Sequence, residues 1–505
     1  MAAYHLEFRK VRVTEKFELT DGTEFELEFA EPALLISELV SSSAALSSVY
    51  DAAIRKHGRR DWRLIVAFDE FAPGNKLRVD NRRKAMNCFI SFLELGQHAL
   101  GESTAWAIPL VVRHVMLQKI PGGWARVLRM FLDRLLFGPH GVASVGMAVE
   151  VAGETAVIHA RLHCVLADGE GLMYSFDWRG SSSLKPCLTH FNVVKRDSDL
   201  ATRQCNFVEI TCSNPKRFQS WPQAEVTRTM SMLLEAERRV AASLIPKRRL
   251  GELSMVYGLN PNPHSLWAHP RLSSACTSDL VSTITYDWVH SLLQDGAWSV
   301  EAWQFLRCCE SHGVTSAAIC TFLKDDAWKY PSADSSKSTT LWRIFDSFRS
   351  QSSETANKLK ASSSECLGLC AMLRHFVDTR VSRDIPELAA QRASFDASCR
   401  VLATILWCKR GFTSPQEGAH AIQQAVRQHM ELHVKAYGSE NVRPKHHWLL
   451  HVAPQYLRDG LIIDTFIVER GHLLVKSIAD LCKYTDHFEG SVLAGVINRH
   501  RRKKL

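Results

Sequence analysis

The stretch WRLIVAFDEFAPGN, residues 62–75, opens as an apolar run rich in β-formers, reaches an acidic pair at Asp69 and Glu70, and closes on the turn residues Pro73, Gly74 and Asn75. Such a run bounded by turn signals reads as a buried strand whose carboxylate stands near the edge of a sheet. Two similar runs follow, NCFISFLELG and AIPLVVRH, and then GWARVLRMFLDRLLFG, whose apolar residues recur at helical spacing. A further strand, AVIHARLHCVLAD, ends at Asp168. Strand, strand, strand, helix, strand is the order of an α/β layer. GEGLMYSFDWRG is expected as a helix on that layer and KPCLTHFNVV as its final strand.

Working outward, KFELTDGTEFELEF alternates in character around Asp21-Gly22 and predicts a hairpin, and SELVSSSAALSSVYDAAIRKHG predicts a helix. Residues 1–60 therefore read as a lead-in, with no DNA-binding motif, and 61–194 as the first part of the core. Beyond residue 195 long amphipathic patterns take over, among them AEVTRTMSMLLEAERRVAASLI, VEAWQFLRCCESHG, ELAAQRASFDASCRVLATILWCKRG and PQEGAHAIQQAVRQHMELHVKAYG. Residues 195–440 are expected as a helical insertion, with YPSADSSKSTT and SQSSETANKLKASSSE as surface loops. Residues 441–505 complete the core through DTFIVERGHLLVKSIADL, a second helix and the basic end RHRRKKL, which has the composition of a nuclear-import signal or of a solvated terminus.

At 505 residues the chain calls for two or three structural units. Its 62 Lys+Arg against 53 Asp+Glu leave a net charge of +9, which favours polyanionic partners without specifying one. Fourteen cysteines are too sparse for a disulfide scaffold, the start MAAYHLEFRK lacks an apolar signal core, and no apolar run is long enough to cross a bilayer. A soluble, intracellular protein with no membrane partner is expected.

Three carboxylates are the candidates for chemistry: Asp69, Asp168 and Glu469. Acidic side chains from distant segments are what two divalent cations need for phosphoryl transfer. Each aspartate taken alone reads more readily as a turn or helix cap, since such caps are common. Glu469 lies in the apolar helix start FIVERGHLL, where a carboxylate needs a metal or a partner such as Arg470 or Lys476. Asp69 and Asp168 stand 99 residues apart (168 − 69) and Asp168 and Glu469 stand 301 apart (469 − 168), so an insertion must interrupt the fold.

Asp287 and His290, three apart in TYDWVHSLLQDG, share a helix face and suit a hydrogen-bonded pair. Lys445, His446, His447 and His451 in RPKHHWLLHV are placed to contact phosphate or to open an amphipathic helix. Cysteine spacing does not make a zinc module: Cys366 and Cys370 suit a helical core face, Cys308 and Cys309 look structural, and Cys187-x2-His190 has ligand spacing but no evident second pair.

Taken in order, AFDEFAPGNKLRVDNRRKAMNCFISFLELG, VLADGEGLMYSFDWRGSSSLKPCLTHFNVV, GLNPNPHSLW, TYDWVHSLLQDG, RPKHHWLLHV and FIVERGHLLVK resemble the catalytic region of eukaryotic cut-and-paste DNA transposases of the CACTA and Kyakuja-Dileera-Zisupton type, over roughly residues 60–500. The resemblance implies a ribonuclease-H-like mixed sheet core interrupted by a large all-helical insertion. It further implies Asp69, Asp168 and Glu469 as ligands of two Mg²⁺ or Mn²⁺ ions, Asp287 with His290 as the insertion's Asp-x-x-His element, and a nuclear location. Glu469, Arg470, Gly471 and His472 stand for the family's Glu-Arg-x-His run. Transposon-end and target DNA are the implied partners, with a homo-oligomer, and Lys445, His446, Lys476, Arg501 and Arg502 supply phosphate contacts. Where such relatives carry Cys-x2-Cys after the second Asp, this chain has Cys187-x2-His190. The alternative expectation is a domesticated, inactive scaffold that binds DNA or protein.

Overall fold

The computed structural model describes residues 8–74, 82–195, 206–325, 341–484 and 486–502. Two compact units emerge, the first formed by Met1–Leu184, Ser220–Thr285 and Ile467–Leu505, the second by Lys185–Gln219 and Tyr286–Phe466. Residues 220–285 therefore fall with the sheet, and the second unit does not follow the span 195–440.

The first unit starts with an antiparallel hairpin, β1 (Arg12–Glu18) and β2 (Glu24–Ala30), turning at Asp21-Gly22 as expected. The single helix expected next is two, α1 (Pro32–Ser42) and α2 (Ala44–His57), because the Ser43 side chain accepts from Leu46 N–H and starts a second helix. The chain bends by 111° there. No single helix among the described residues is long and apolar enough to cross a membrane.

A five-stranded mixed sheet holds the core, in the order Ile284–Tyr286, Ala160–Ala167, Trp62–Phe71, Ala85–Phe92, Ala107–Arg113. It is built from β3 (Trp62–Phe71), β4 (Ala85–Phe92), β5 (Ala107–Arg113), β8 (Ala160–Ala167) and the short β11 (Ile284–Tyr286). β3 pairs antiparallel with β4, β4 antiparallel with β5, and β3 parallel with β8. Every residue of β4 and β5 is buried, which is why these strands read as continuous apolar runs instead of alternating ones. AVIHARLHCVLAD is not one strand: β7 (Glu154–Ile158) pairs with β6 (Met147–Val151), and β8 begins only at Ala160.

Helices cover both faces of this sheet. α3 (Gly123–Phe137) packs on one, where the rings of Trp124 and Phe68 lie 5.4 Å apart. The short α4 (Gly169–Ser175) follows β8 on the same face, with Gly171 against Phe68. On the other face Gly471 meets Phe89. At the rim of the core Trp62 sits between Tyr50 and Phe92, with ring centroids 5.8 and 5.5 Å away. Aromatic contacts of this kind add about 0.5–1.5 kcal/mol each beyond burial. KPCLTHFNVV does not supply the last strand; only β9 (Val193–Val194) is extended, paired with β10 (Val208–Glu209) in a separate small ladder.

The second unit is mainly helical. Its long elements are α5 (Ala297–Glu310), α6 (Ser363–Arg380), α7 (Ala389–Lys409) and α8 (Pro415–Tyr437). Ser362/Glu365 and Ser414/Glu417 form reciprocal capping boxes that start α6 and α8. Phe305 and Phe395 stack at 4.9 Å between α5 and α7. Cys366, Cys370 and Cys309 are buried as core residues. The expected loop SQSSETANKLKASSSE is half helical, over Ser347–Ala356, and YPSADSSKSTT lies outside the described residues.

Candidate functional site

β3 and β8 run parallel with Ala67 level with Leu166, and continuing that register by two residues brings Asp69 level with Asp168. Neighbouring strands lie about 4.8 Å apart, so the two aspartates stand side by side at one edge of the sheet. Both are half-buried. Asp69 Oδ1 accepts from Glu70 N–H at 2.7 Å, and Asp168 Oδ1 accepts from Gly171 N–H at 2.6 Å as the N-cap of α4. Gly171 is required at that cap, since a Cβ there would sit 2.8 Å from Ala167 Cβ and 3.2 Å from Phe68.

Further acidic groups gather beside them. Burial first, then the Glu170 carboxylate 3.0 Å from its hydroxyl, then the fields of Glu70 and Asp168, push the Tyr174 phenol up to about 12. Glu70 is itself paired with Lys84 at 2.7 Å and lies 3.3 Å from His114 Nδ1.

The helix Phe466–Ala479, here α9, lays Gly471 and His472 on this edge. A Cβ on Gly471 would meet Phe89 Cε1 at 2.5 Å, so the missing side chain allows the helix to approach β4. His472 then packs between Phe71 and Phe89, with ring centroids 6.0 and 5.8 Å away. Its Nε2 lies 3.0 Å from Asn87 Oδ1 and its Nδ1 lies 3.6 Å from Asp69 Oδ2. Asn87 is the cross-strand partner of Asp69, and its buried Nδ2 has no hydrogen-bond partner among the described residues. Glu469, half-buried and one turn before His472, occupies the same helical face. The three carboxylates do not form a set with all ligand oxygens within 4.8 Å of one another.

In the second unit Asp287 and His290 do form the expected pair, with His290 Nδ1 2.6 Å from Asp287 Oδ2. Thr465 closes the arrangement, its hydroxyl donating to Oδ2 at 2.6 Å and its N–H to Oδ1 at 3.2 Å. Burial pushes the Asp287 carboxyl up, but His290 and Thr465 outweigh it and hold it below its usual range. These bonds make the pair a brace for the start of the Trp288–Leu292 turn, which Asp287 caps.

Cys187-x2-His190 acquires the second pair that spacing alone did not reveal. Cys187 Sγ lies 3.3 Å from His451 Nε2, and His190 Nδ1 lies 3.2 Å from His447 Nε2. One ligand atom from each of the four residues falls within 4.8 Å of all the others. Burial raises the Cys187 thiol, yet the imidazoles of His451, His447 and His190 outweigh it and hold it well below its ordinary value. Burial lowers His451 to about 4.

His429, His433 and His446 make a second buried group, anchored on Glu301. Glu301 Oε2 is 3.2 Å from His429 Nε2, 2.7 Å from His433 Nδ1, and 2.8 Å from the Ser394 hydroxyl that donates to it. Despite burial, these ring contacts depress the Glu301 carboxyl to about 2. His446 Nδ1 accepts from Arg443 N–H at 3.1 Å, while Glu301 Oε1, His429 Nδ1 and His446 Nε2 are buried without a hydrogen-bond partner among the described residues.

Two expectations for phosphate contacts need revision. His446 is fully buried among rings and does not face solvent, and Lys445 Nζ donates to the Gln294 carbonyl at 3.0 Å. Both lie in a segment whose histidines point inward to these clusters. Lys476 sits two turns after Glu469 on α9, half-buried. Arg501 and Arg502 end the last helix, and their side chains lie outside the described residues. Asn87 and Tyr174 carry no motif that would single them out in sequence. His447-x3-His451, in contrast, has the helical spacing of a ligand pair and could have been matched to Cys187-x2-His190. No protein-family model and no curated protein matches this chain.

Proposed function

We propose that the first unit performs divalent-metal-dependent polynucleotidyl transfer on DNA, in the manner of the ribonuclease-H-like transposases that the sequence resembles. The observation that carries this reading is the parallel pairing of β3 with β8, which sets Asp69 beside Asp168 under the helix that bears Glu469 and His472. The three antiparallel strands followed by a parallel neighbour to the first fit a ribonuclease-H-like order. Asp69, Asp168 and Glu469 would hold two Mg²⁺ or Mn²⁺ ions, and a two-ion site spreads its carboxylates more widely than a single ion does. The unpartnered donor at Asn87 Nδ2, beside Asp69, suits a site that receives an oxygen ligand.

Metal held by Asp69, Asp168 and Glu469 would activate a water or 3′-hydroxyl and would neutralise charge on the oxygens entering and leaving phosphorus. The protein's part is orientation. Glu70 N–H and Gly171 N–H lock one oxygen of each aspartate, so the direction of both carboxylates is set before any ligand arrives. His472 fixes Asn87 and Asp69 from above, and Gly471 sets the height of the helix. DNA ends and target DNA are the proposed substrates, in a nuclear setting, with a second copy of the chain as the proposed partner.

The test is Mn²⁺-dependent nicking of plasmid and oligonucleotide duplexes by the full chain and by Asp69→Asn and Asp168→Asn. Loss of nicking in both variants at unchanged melting temperature supports the assignment, and unchanged nicking in either removes it. Cleavage without joining of a 3′-hydroxyl end would reassign the unit as a nuclease. A wild-type chain that neither cleaves DNA nor gives heat on titration with Mn²⁺ would identify an inactive scaffold.

A further inference from the structure

Four side chains from two segments of the second unit converge on one point: Cys187 and His190 from an irregular loop, His447 and His451 from the turn that follows Pro444. We propose that Cys187, His190, His447 and His451 bind a single Zn²⁺ ion in a closed tetrahedral site that staples these two segments together. The inference stands on the geometry of this cluster and is independent of the nuclease reading.

Distances are the first support. Zinc binds imidazole nitrogen at about 2.0–2.1 Å and thiolate sulfur at about 2.3 Å, so the edges of a tetrahedron come to about 3.3–3.4 Å between nitrogens and about 3.6 Å between sulfur and nitrogen. The observed edges are 3.2 Å for His190 Nδ1 to His447 Nε2 and 3.3 Å for Cys187 Sγ to His451 Nε2. Pairwise hydrogen bonds alone would not require all four atoms to share a centre.

The surroundings are those of a held thiolate. His190 N–H points at Cys187 Sγ at 3.4 Å, closing a tight turn over the sulfur. Tyr286 Oη accepts from Leu188 N–H at 2.7 Å, which directs its own proton toward Cys187 Sγ at 3.5 Å. Thr189 Oγ1 lies 3.4 Å from the same sulfur. Donors placed in this way orient a metal-binding sulfur. His447 Nδ1 is buried without a hydrogen-bond partner among the described residues, and its Nε2 is the atom that faces the cluster.

One thiolate and three imidazoles, with no carboxylate in the group, select zinc over Mg²⁺ or Ca²⁺. Three of the four ligands are buried and all four positions are filled by protein, which describes a structural site and leaves no position for substrate. His447 and His451 are one helical turn apart, so a single ion can take both from one face.

The experiment measures zinc in the purified full-length chain by inductively coupled plasma mass spectrometry, and the absorption spectrum after Co²⁺ replacement. About one equivalent of zinc is expected, with loss on Cys187→Ser and on His451→Asn, since each removes a ligand from a four-ligand site. The Co²⁺ form should show a thiolate-to-cobalt charge-transfer band. Chelation should lower the melting temperature of the wild type. A folded wild-type chain that holds no zinc after exposure to it, or a Co²⁺ form that lacks the thiolate band, overturns the proposal without need of any variant. Retention of zinc in a folded Cys187→Ser chain overturns it as well.

Discussion

The ring of Phe89 fills the place that a side chain on Gly471 would take, 2.5 Å from a Cβ built there. Helix and sheet are in contact at that point, and the contact sets how far His472 reaches toward Asp69. Gly471→Ala must therefore move either the ring or the helix. Overpacking of this kind costs about 1–3 kcal/mol. The expected outcome is a lower melting temperature together with a loss of Mn²⁺-dependent nicking larger than the stability change explains, checked by measuring both at a temperature where the variant is folded.

His472 bridges Asn87 and Asp69 at 3.0 and 3.6 Å. Its removal keeps the bond from Glu70 N–H to Asp69 Oδ1 and withdraws the imidazole from Oδ2. His472→Ala is expected to raise the Mn²⁺ concentration needed for half-maximal nicking, with a smaller effect at saturating metal. A metal titration of the rate reads this directly; an unchanged midpoint would mean that His472 only packs.

Arg113 and Glu489 form a buried bidentate pair, with Nε–Oε1 at 2.7 Å and Nη2–Oε2 at 3.1 Å, and the Arg113 N–H also donates to Oε1. Glu489 is 3 % exposed. Glu489→Ala strands the guanidinium and should cost about 3–5 kcal/mol, whereas Arg113→Met with Glu489→Leu should recover much of that loss. Urea unfolding of the single and double variants separates the two cases.

Asp177 sits in the left-handed region at φ 52° and is pushed up to about 7 by burial, against the opposing bond from Asn262 Nδ2 at 2.7 Å. The folded state therefore holds its proton more tightly than the unfolded chain. The sign follows: between about pH 4 and pH 7 the folded form binds more protons, so this group's contribution falls as pH rises and is lost above the folded value. Asn also tolerates positive φ and keeps an acceptor for Asn262. Asp177→Asn is expected to be nearly neutral at pH 5 and stabilising by on the order of 2 kcal/mol at pH 8, a difference visible in melting temperatures across that range.

Local pattern carried most of the first unit. The strands at Asp69 and Asp168, the hairpin at Gly22 and the helix at Trp124 lie where alternation, apolar runs and turn residues placed them. Errors fell where several residues could do one job. Any serine of the run 41–43 could cap a helix, and Ser43 does. Residues 185–192 look extended by composition, yet Cys187 and His190 are drawn into contact with side chains some 260 positions away, and the loop follows them.

The sequence by itself determined the strands that carry Asp69 and Asp168, the hairpin before them and the helix at Trp124, and that Asp69, Asp168, Glu469, Asp287 and His290 stand at element ends or on helix faces where polar chemistry is available. Only the tertiary structure decided which of them meet. Periodicity reports the face of an element that is apolar, but the partner of that face is chosen by chain closure over hundreds of residues and leaves no local trace. Asn87 beside Asp69, His472 above both, and His447 with His451 completing Cys187 and His190 are consequences of that closure.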